Sequence, residues 1–189
     1  MADAIDSGDI KLGKGVASGA AATYYFDLDR LELSPTFTLS KSDDRGYLVH
    51  ECTHAHLDIQ NLGKLSGYEN EAVAYLVEAV YLEALGSPPI SSIAIRIVSH
   101  RVAKTILSGT YTVPAKDADE LVKKVAADPH YSSPVLYESN GFKRSLFRGL
   151  LRDLPKRSRS PNRGLCGDRL ALIASPCQLV STLLPAPAR

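Results

Sequence analysis

Hydrophobic residues recur along this chain at two periods, and each period predicts a different kind of element. Between Tyr24 and Leu33 apolar residues flank a polar centre, which predicts a short strand, a turn near Asp29 and a second strand that Pro35 ends. Further along, apolar residues recur at helical spacing. The predicted helices run from Ser42 or Asp43 to about Leu62, from about Tyr68 to Leu85, from about Ile90 to Leu107, and from Pro114 to Asp128.

The two ends of the chain lack these periods. Residues 1–22 are small and rich in Gly, Ala and Ser, so we expect a loosely ordered N-terminal segment. A last helical candidate lies within residues 140–154, and a basic, Ser/Pro-rich linker follows at residues 156–163. The expected organisation is one domain over 23–153, with a linker and an irregular tail over 154–189. The expected fold class is mainly α with a short β-hairpin or edge strands, that is, α+β.

The composition excludes several classes of function. The chain has 189 residues, of which 44% are hydrophobic, so it is long enough to bury one sizeable core. Its net charge of +1 gives no reason to expect nucleic acid or an anionic membrane as a partner. No apolar run is long enough to span a bilayer, and the N-terminus lacks the basic and apolar regions of a secretory signal. The default expectation is therefore a cytoplasmic protein.

The first predicted helix has two distinct faces. At about 100° per residue, one stripe is apolar and is expected to face the core. This stripe consists of Leu48, Cys52, Ala55, Ile59 and Leu62. A second face lies about 120° away and carries Tyr47, His50, Glu51, His54 and Asp58. His56 points away from this second face, and Cys52 is interpreted as a small buried residue rather than a reactive thiol.

The second face carries residues that are typical of a metal site. His50 and His54 are four residues apart, so both imidazoles can reach one ion. Glu51 is displaced around the helix, where it can contact a water on the ion without ligating the ion itself. Zinc hydrolysis needs this arrangement, because a carboxylate must take the proton of a water that the metal has acidified. The alternative is a solvated His/Glu helix face that binds nothing.

A third protein ligand is expected from the second predicted helix. This helix is apolar nearly all the way round, so a carboxylate on it must be paired or bound to a metal. Glu71 is the better candidate, because the loop Gly63–Gly67 can fold the helix back beside His54. Glu78 would lie about 10 Å further along the helix axis. Glu69 is interpreted as a solvated carboxylate that is favoured by the helix dipole.

Two motifs together resemble a known family. His-Glu-x-x-His at residues 50–54 and Asn-Glu-x-x-Ala at residues 70–74 look like the gluzincin clan of zinc metallopeptidases, in its small single-domain bacterial form. The resemblance implies a zincin-like catalytic domain over 23–153. It further implies an active-site helix, an antiparallel helix that carries the glutamate ligand, and an edge strand from residues 24–33 along which an extended substrate pairs.

The resemblance also implies a role for each site residue. His50, His54 and Glu71 would hold one Zn²⁺ per chain, and Glu51 would be the general base. Peptide or protein would be the substrate.

The chain departs from the gluzincin pattern at two points. Members related to thermolysin carry an aspartate four residues after the glutamate ligand, to orient a histidine, whereas this chain has Tyr75 there. Asp58 or Glu78 could substitute for that aspartate. No motif identifies the group that stabilises the oxyanion. His100, Tyr68 and Tyr75 are candidates, although the favoured interpretation of His100 is a surface residue beside Arg101 and that of the tyrosines is core residues. His130 is interpreted as a turn residue.

The sequence therefore supports a zinc-dependent hydrolase, most simply a peptidase. A catalytically degenerate zincin fold that acts as a binding or interaction module is the alternative. A structural metal protein is the third hypothesis. Glu51 distinguishes among them, because a purely structural site has no use for a general base. The sequence leaves the oligomeric state open.

Overall fold

The computed structural model describes residues 2–15, 20–60, 64–110, 112–131 and 136–138. The helices in chain order are α1 (Ala2–Asp6), α2 (Ser42–Gln60), α3 (Gly67–Ala84), α4 (Ala94–Thr105) and α5 (Ala115–Ala126). The strands are β1 (Lys11–Lys14), β2 (Ala22–Tyr25), β3 (Arg30–Leu33), β4 (Lys64–Ser66) and β5 (Leu136–Glu138). The protein is mainly helical with small sheets, which confirms the α+β class. The helical candidate within 140–154 and the tail 154–189 lie outside the described residues.

The predicted hairpin is present as part of a three-stranded sheet. Strands β2 and β3 pair antiparallel, and the turn between them contains Asp29 at φ 47°, a left-handed conformation that Asp tolerates. Strand β1 pairs parallel with β3 on the other side, so the strand order is β1-β3-β2. Strand β2 is therefore an edge strand of this sheet.

The N-terminal segment differs from its predicted loose order. Residues 2–6 form helix α1, and residues 11–14 form strand β1. Between them, Ile10 buries its side chain in the core beside Leu31, and the backbone N–H of Lys11 donates to the Asp29 carbonyl. Ile10, together with Ala4 and Ile5 at the border of the same cluster, and backbone pairing hold this segment. These few contacts do not produce a periodic pattern.

Helix α2 lies between the sheet and α3. Its predicted apolar stripe is confirmed within the described residues, because Cys52 and Ala55 pack with Tyr24 and Leu31 of the sheet. Leu48 and Ile59 border the same cluster, whereas Leu62 lies outside the described residues. On the opposite side of α2, Val49 packs with Val77 and Leu82 of α3.

Helix α3 is central to the helical layer and is buried against three helices. It contacts α2, α4 and α5, in agreement with its nearly continuous apolar surface. Helices α2 and α3 run antiparallel, as expected, because Gly46 approaches Leu82 whereas His54 approaches Asn70. No helix in the described part of the chain has the length and apolarity required to cross a membrane.

Three connections differ from the predicted loops. Residues 64–66 of the expected loop Gly63–Gly67 form strand β4, which pairs antiparallel with β5. At the end of β4, Ser66 caps α3 in a reciprocal capping box with Glu69. The exposed Glu69 carboxylate therefore has a structural role in starting α3. Helix α4 begins at Ala94 rather than Ile90, because the backbone of Ile93 is still extended. Helix α4 then ends in a π-helical turn, Ile106–Thr110.

The sheet anchor can be tested with a matched pair of substitutions. Ile10 is 1% exposed, whereas Leu12, two residues later, is 57% exposed. We expect Ile10→Ala to lower the free energy of unfolding by about 2–5 kcal/mol, because it leaves a cavity beside Leu31. Leu12→Ala should change it by less than about 0.5 kcal/mol. Denaturant unfolding measures both, and equal effects would contradict the burial of the N-terminal segment.

Candidate metal centre

The antiparallel contact of α2 and α3 brings two histidines of one helix against a carboxylate of the other. His50 Nε2 lies 3.3 Å from Glu71 Oε2, and His54 Nε2 lies 3.5 Å from Glu71 Oε1. The two imidazoles meet edge to face, with ring centroids 4.9 Å apart. Both Nε2 atoms therefore face one carboxylate, and the sequence-predicted trio is brought together.

His50, Glu51 and His54 also form a group that could hold a metal ion. Each offers one ligand atom, and these atoms all lie within 4.8 Å of one another. The histidines are buried and Glu51 is half-buried, so an ion there would be largely screened from bulk water. Imidazole nitrogen and carboxylate oxygen are the donors that divalent transition metals prefer. The donor set therefore fits such an ion.

The other nitrogen of each imidazole is directed to a neighbouring acceptor. His54 Nδ1 pairs with the side-chain oxygen of Asn70, and His50 Nδ1 lies 3.2 Å from Glu78 Oε2. The His50–Glu78 contact is close, but it is poorly aligned for a hydrogen bond. The Asn70 oxygen only accepts hydrogen bonds, so Nδ1 of His54 carries a hydrogen, and the nearby Glu78 carboxylate favours a hydrogen on Nδ1 of His50. Nε2 is then the nitrogen on each ring that can offer its lone pair to a metal.

Glu51 joins α2 to the sheet. Its Oε2 accepts a hydrogen bond of 2.7 Å from the backbone N–H of Tyr24 in β2. The hydroxyl of the same tyrosine donates to Asp58 Oδ2 at 2.9 Å. Asp58 therefore ties α2 to the sheet. Of the two substitutes considered from sequence, Glu78 lies beside His50.

Glu78 is almost fully buried and is paired with Arg96 of α4. Arg96 Nε donates to Glu78 Oε1 at 2.8 Å, and its Nη2 donates to Oε2 at 3.3 Å. The guanidinium also lies over the rings of Tyr47 and Tyr75, at 5.1 and 5.2 Å from their centroids. This pairing compensates a carboxylate that could not otherwise remain charged in the core.

Sequence reasoning missed one functional candidate, Tyr131. Its hydroxyl lies 3.0 Å from the hydroxyl of Tyr75, and Tyr131 and Glu71 are close enough to shift each other's pKa. The Tyr75 ring in turn contacts His50 edge to face at 4.6 Å. Tyr131 ends the short 3₁₀ turn Pro129–Tyr131, in which His130 is an exposed turn residue as expected. A turn tyrosine carries no local sign that it reaches a helix elsewhere in the chain.

The three candidates for an oxyanion donor have different surroundings. His100 Nδ1 pairs with Glu83 Oε1 at 2.8 Å, which places this buried ring about 18 Å along α3 from Glu71. Tyr68 packs at the border of the helical core. Tyr75 contacts His50 edge to face. His100 is therefore neither a site residue nor the surface histidine considered from the sequence.

The metal-free site holds opposite charges in a shared buried volume. Burial disfavours the charged form of His50, but its contacts with Glu71 and Glu78 outweigh burial and raise its pKa to about 10. Burial alone would raise the pKa of Glu71, yet the hydrogen bond from His50 and the nearby His54 ring lower it to about 2. The donors are thus held in place by an ion pair when no metal is bound.

Comparison of the chain with models of known protein families, with curated proteins and with solved structures finds no match.

Metal binding should depend on His54 and not on His56, two residues further along α2. We expect the protein to bind one equivalent of a divalent transition metal. His54→Ala should weaken this binding by about 100-fold, because one ligand contributes roughly that factor to a typical zinc affinity. Element analysis and chelator competition measure both quantities. The control His56→Ala should bind like the wild type, and equal losses in the two variants would contradict the site.

Metal affinity should also rise with pH. A histidine must be neutral to ligate a metal, so the ion has to displace the proton that Glu71 and Glu78 stabilise on His50. We expect affinity to increase by up to about tenfold per pH unit between pH 6.5 and 8.5. Chelator competition at several pH values is the measurement, and a pH-independent affinity would refute the coupling.

The same proton affects stability. In the metal-free protein, protonated His50 stabilises the fold fully below its unfolded pKa near 6.5, and this contribution is lost as pH rises through about 10.

Proposed function

We propose that the protein is a zinc-dependent hydrolase that cleaves peptide bonds in a peptide or protein substrate. The observation that carries the proposal is the spacing of three donors. Ligands around a tetrahedral zinc are about 3.3–3.6 Å apart, given bond lengths of about 2.0–2.2 Å. The two contacts between Glu71 and the histidine Nε2 atoms measure 3.3 and 3.5 Å. This spacing supports one Zn²⁺ per chain, held by His50, His54 and Glu71.

Zinc supplies two effects when it is bound at such a site: it acidifies a water to a pKa of about 7, and it polarises the scissile carbonyl. The protein supplies the proton acceptor. Glu51 follows His50 in the chain, and its Oε2 is already fixed by the N–H of Tyr24. Its Oε1 is the oxygen that takes the proton from the attacking water. A base that is fixed before substrate arrives needs no reorganisation during the reaction.

The substrate is proposed to lie along the outer edge of β2. Within the described residues this strand pairs with β3 alone, and its other edge faces the side where Glu51 binds. An extended peptide can pair with backbone groups of such an edge. The N–H of Tyr24 is already used by Glu51, so the other outward-facing groups of β2 would bind the substrate.

Tyr131 is the proposed donor to the oxyanion. Its hydroxyl lies 3.0 Å from that of Tyr75, whose ring contacts His50, so a neutral donor lies near the proposed ligands. Burial raises the pKa of Tyr131 well above its usual range, and the Glu71 charge acts in the same direction. The group therefore stays protonated, as a hydrogen-bond donor must.

One observation favours a structural metal site as the second candidate. The His50, His54 and Glu71 side chains are only 8%, 6% and 12% exposed. Closed sites are typical of structural zinc, whereas catalytic sites keep a position open to water and substrate. The half-buried Glu51 beside them favours catalysis, since a structural site has no use for it. The binding-module alternative would retain the same ligands without turnover.

A single substitution separates these functions. Glu51→Gln should retain zinc with nearly wild-type affinity. It should lower the rate of hydrolysis by about 100- to 10,000-fold, because the amide cannot take a proton. The measurement is a peptide-library digest, with and without chelator, alongside element analysis. Glu69→Gln is the matched control, because glutamine at this position preserves the capping box with Ser66. It should keep both zinc and activity.

Three outcomes would contradict parts of the proposed function. Absence of stoichiometric zinc in the wild-type protein would reject both the hydrolase and the structural metal site. Zinc without any digestion of the library would favour the structural or binding role. Undiminished digestion by Glu51→Gln would remove Glu51 as the base.

A further inference from the structure

A buried ion pair lies directly behind His50. Glu78 and Arg96 are 1% and 7% exposed, and two hydrogen bonds join them across the contact of α3 with α4. Taking two charges out of water usually costs as much as their attraction returns, so such a pair is weak evidence of added stability. Its presence in the core therefore requires a reason beyond stability.

The contacts of Glu78 indicate that reason. The carboxylate uses both oxygens for Arg96, and Oε2 also lies 3.2 Å from His50 Nδ1. A fork-shaped guanidinium fixes both oxygens of a carboxylate in one plane, which a single hydrogen bond does not. Glu78 is thereby held in one orientation. It faces Nδ1 of His50, whereas Nε2 of the same ring faces Glu71.

Arg96 is itself restrained on two sides. Its guanidinium lies over the rings of Tyr47 and Tyr75, and its Nη1 donates to Ser91 at 3.3 Å. Tyr75 also contacts the His50 ring edge to face. The ring, the carboxylate and the guanidinium therefore form one packed unit that spans α2, α3 and α4.

We propose that the Glu78–Arg96 pair is a positioning device for His50, which orients its ring so that Nε2 faces the metal and strengthens that nitrogen as a donor. The proposal rests on the proposed role of His50 as a metal ligand. Glu78 acts through His50 and does not touch the metal. An acceptor on the far nitrogen of a histidine ligand fixes its tautomer and makes the ligand more basic.

A second, partly buried pair joins the same two helices and provides a comparison. Glu83 of α3 pairs with His100 of α4 at 2.8 Å, several residues further along both helices. Within the described residues, the hydrogen bonds and ion pairs of this pair involve Lys104 but not His50, His54 or Glu71. A purely structural role for Glu78 would give it the same properties as Glu83.

The test compares zinc affinity in variants of the two pairs. Glu78→Gln should weaken zinc binding by about 10- to 100-fold in chelator competition. It should also shift the visible absorption bands of the cobalt-substituted protein, because the His50 ring turns. Glu83→Gln should lower the free energy of unfolding of the metal-free protein while leaving zinc affinity within about twofold and the cobalt spectrum unchanged.

Glu78→Gln leaves the Arg96 charge buried without its partner and can fail to fold. The double variant Glu78→Gln, Arg96→Met removes both charges together, which is often tolerated. It should show the same loss of zinc affinity. Arg96→Lys, which retains the charge without the fork, should show a smaller loss of a few-fold.

The failure of this inference differs from the failure of the proposed function. If the folded double variant and Arg96→Lys both bind zinc like the wild type, with an unchanged cobalt spectrum, the positioning role is refuted while the metal site stands. If the wild-type protein itself binds no stoichiometric zinc, the proposed function fails first and the positioning role fails with it.

Discussion

The burial of two carboxylates on α3 is the constraint on which the rest of this structure depends. Glu71 and Glu78 lie on a helix that contacts three others, and a charged carboxylate in such a place must have partners. The partners come from both neighbours: His50 and His54 from α2, and Arg96 from α4. The alignment of α2 against α3 is therefore set by charge as well as by packing, because a shift of one turn would leave a carboxylate unpaired.

Helices α2 and α3 approach each other closely, which keeps the contacts between the histidines of α2 and the carboxylates of α3 short. At Gly46, the first turn of α2 passes so near Leu82 and Ile90 that a Cβ there would lie 2.9 Å from Ile90 Cδ1. At the other end of the contact, His54 reaches Asn70. The polar site thus lies along the middle and one end of an interface whose remaining part is tightly packed. A rigid interface of this kind holds donors at fixed separations without a metal, which reduces the cost of binding one.

The sequence predicted those parts of the site that depend on the period of one helix. The i, i+4 spacing of His50 and His54 follows from the helix alone, and Glu71 follows from a short loop that folds the next helix back. Tyr131 could not be found in this way, since it meets Tyr75 across 56 residues of chain. The pairings of β1 with β3 and of β4 with β5 also depend on tertiary contacts, so loops were predicted where short strands form. Arg96 could not be found either, since its partner Glu78 lies on another helix, 18 residues earlier in the chain.

The site connects all the layers of the protein through one helix. On the sheet side, α2 is tied by Glu51 to the backbone of Tyr24 and by Asp58 to its hydroxyl. On the helical side, His50 leads through Glu78 to α4. The residue proposed to take the proton and a residue proposed to hold the metal are neighbours in sequence but are restrained by different layers. The distance between Glu51 and His50 therefore depends on how both the sheet and the other helices pack on α2. Substitutions in the sheet or in α4 can alter the site even where they do not contact it.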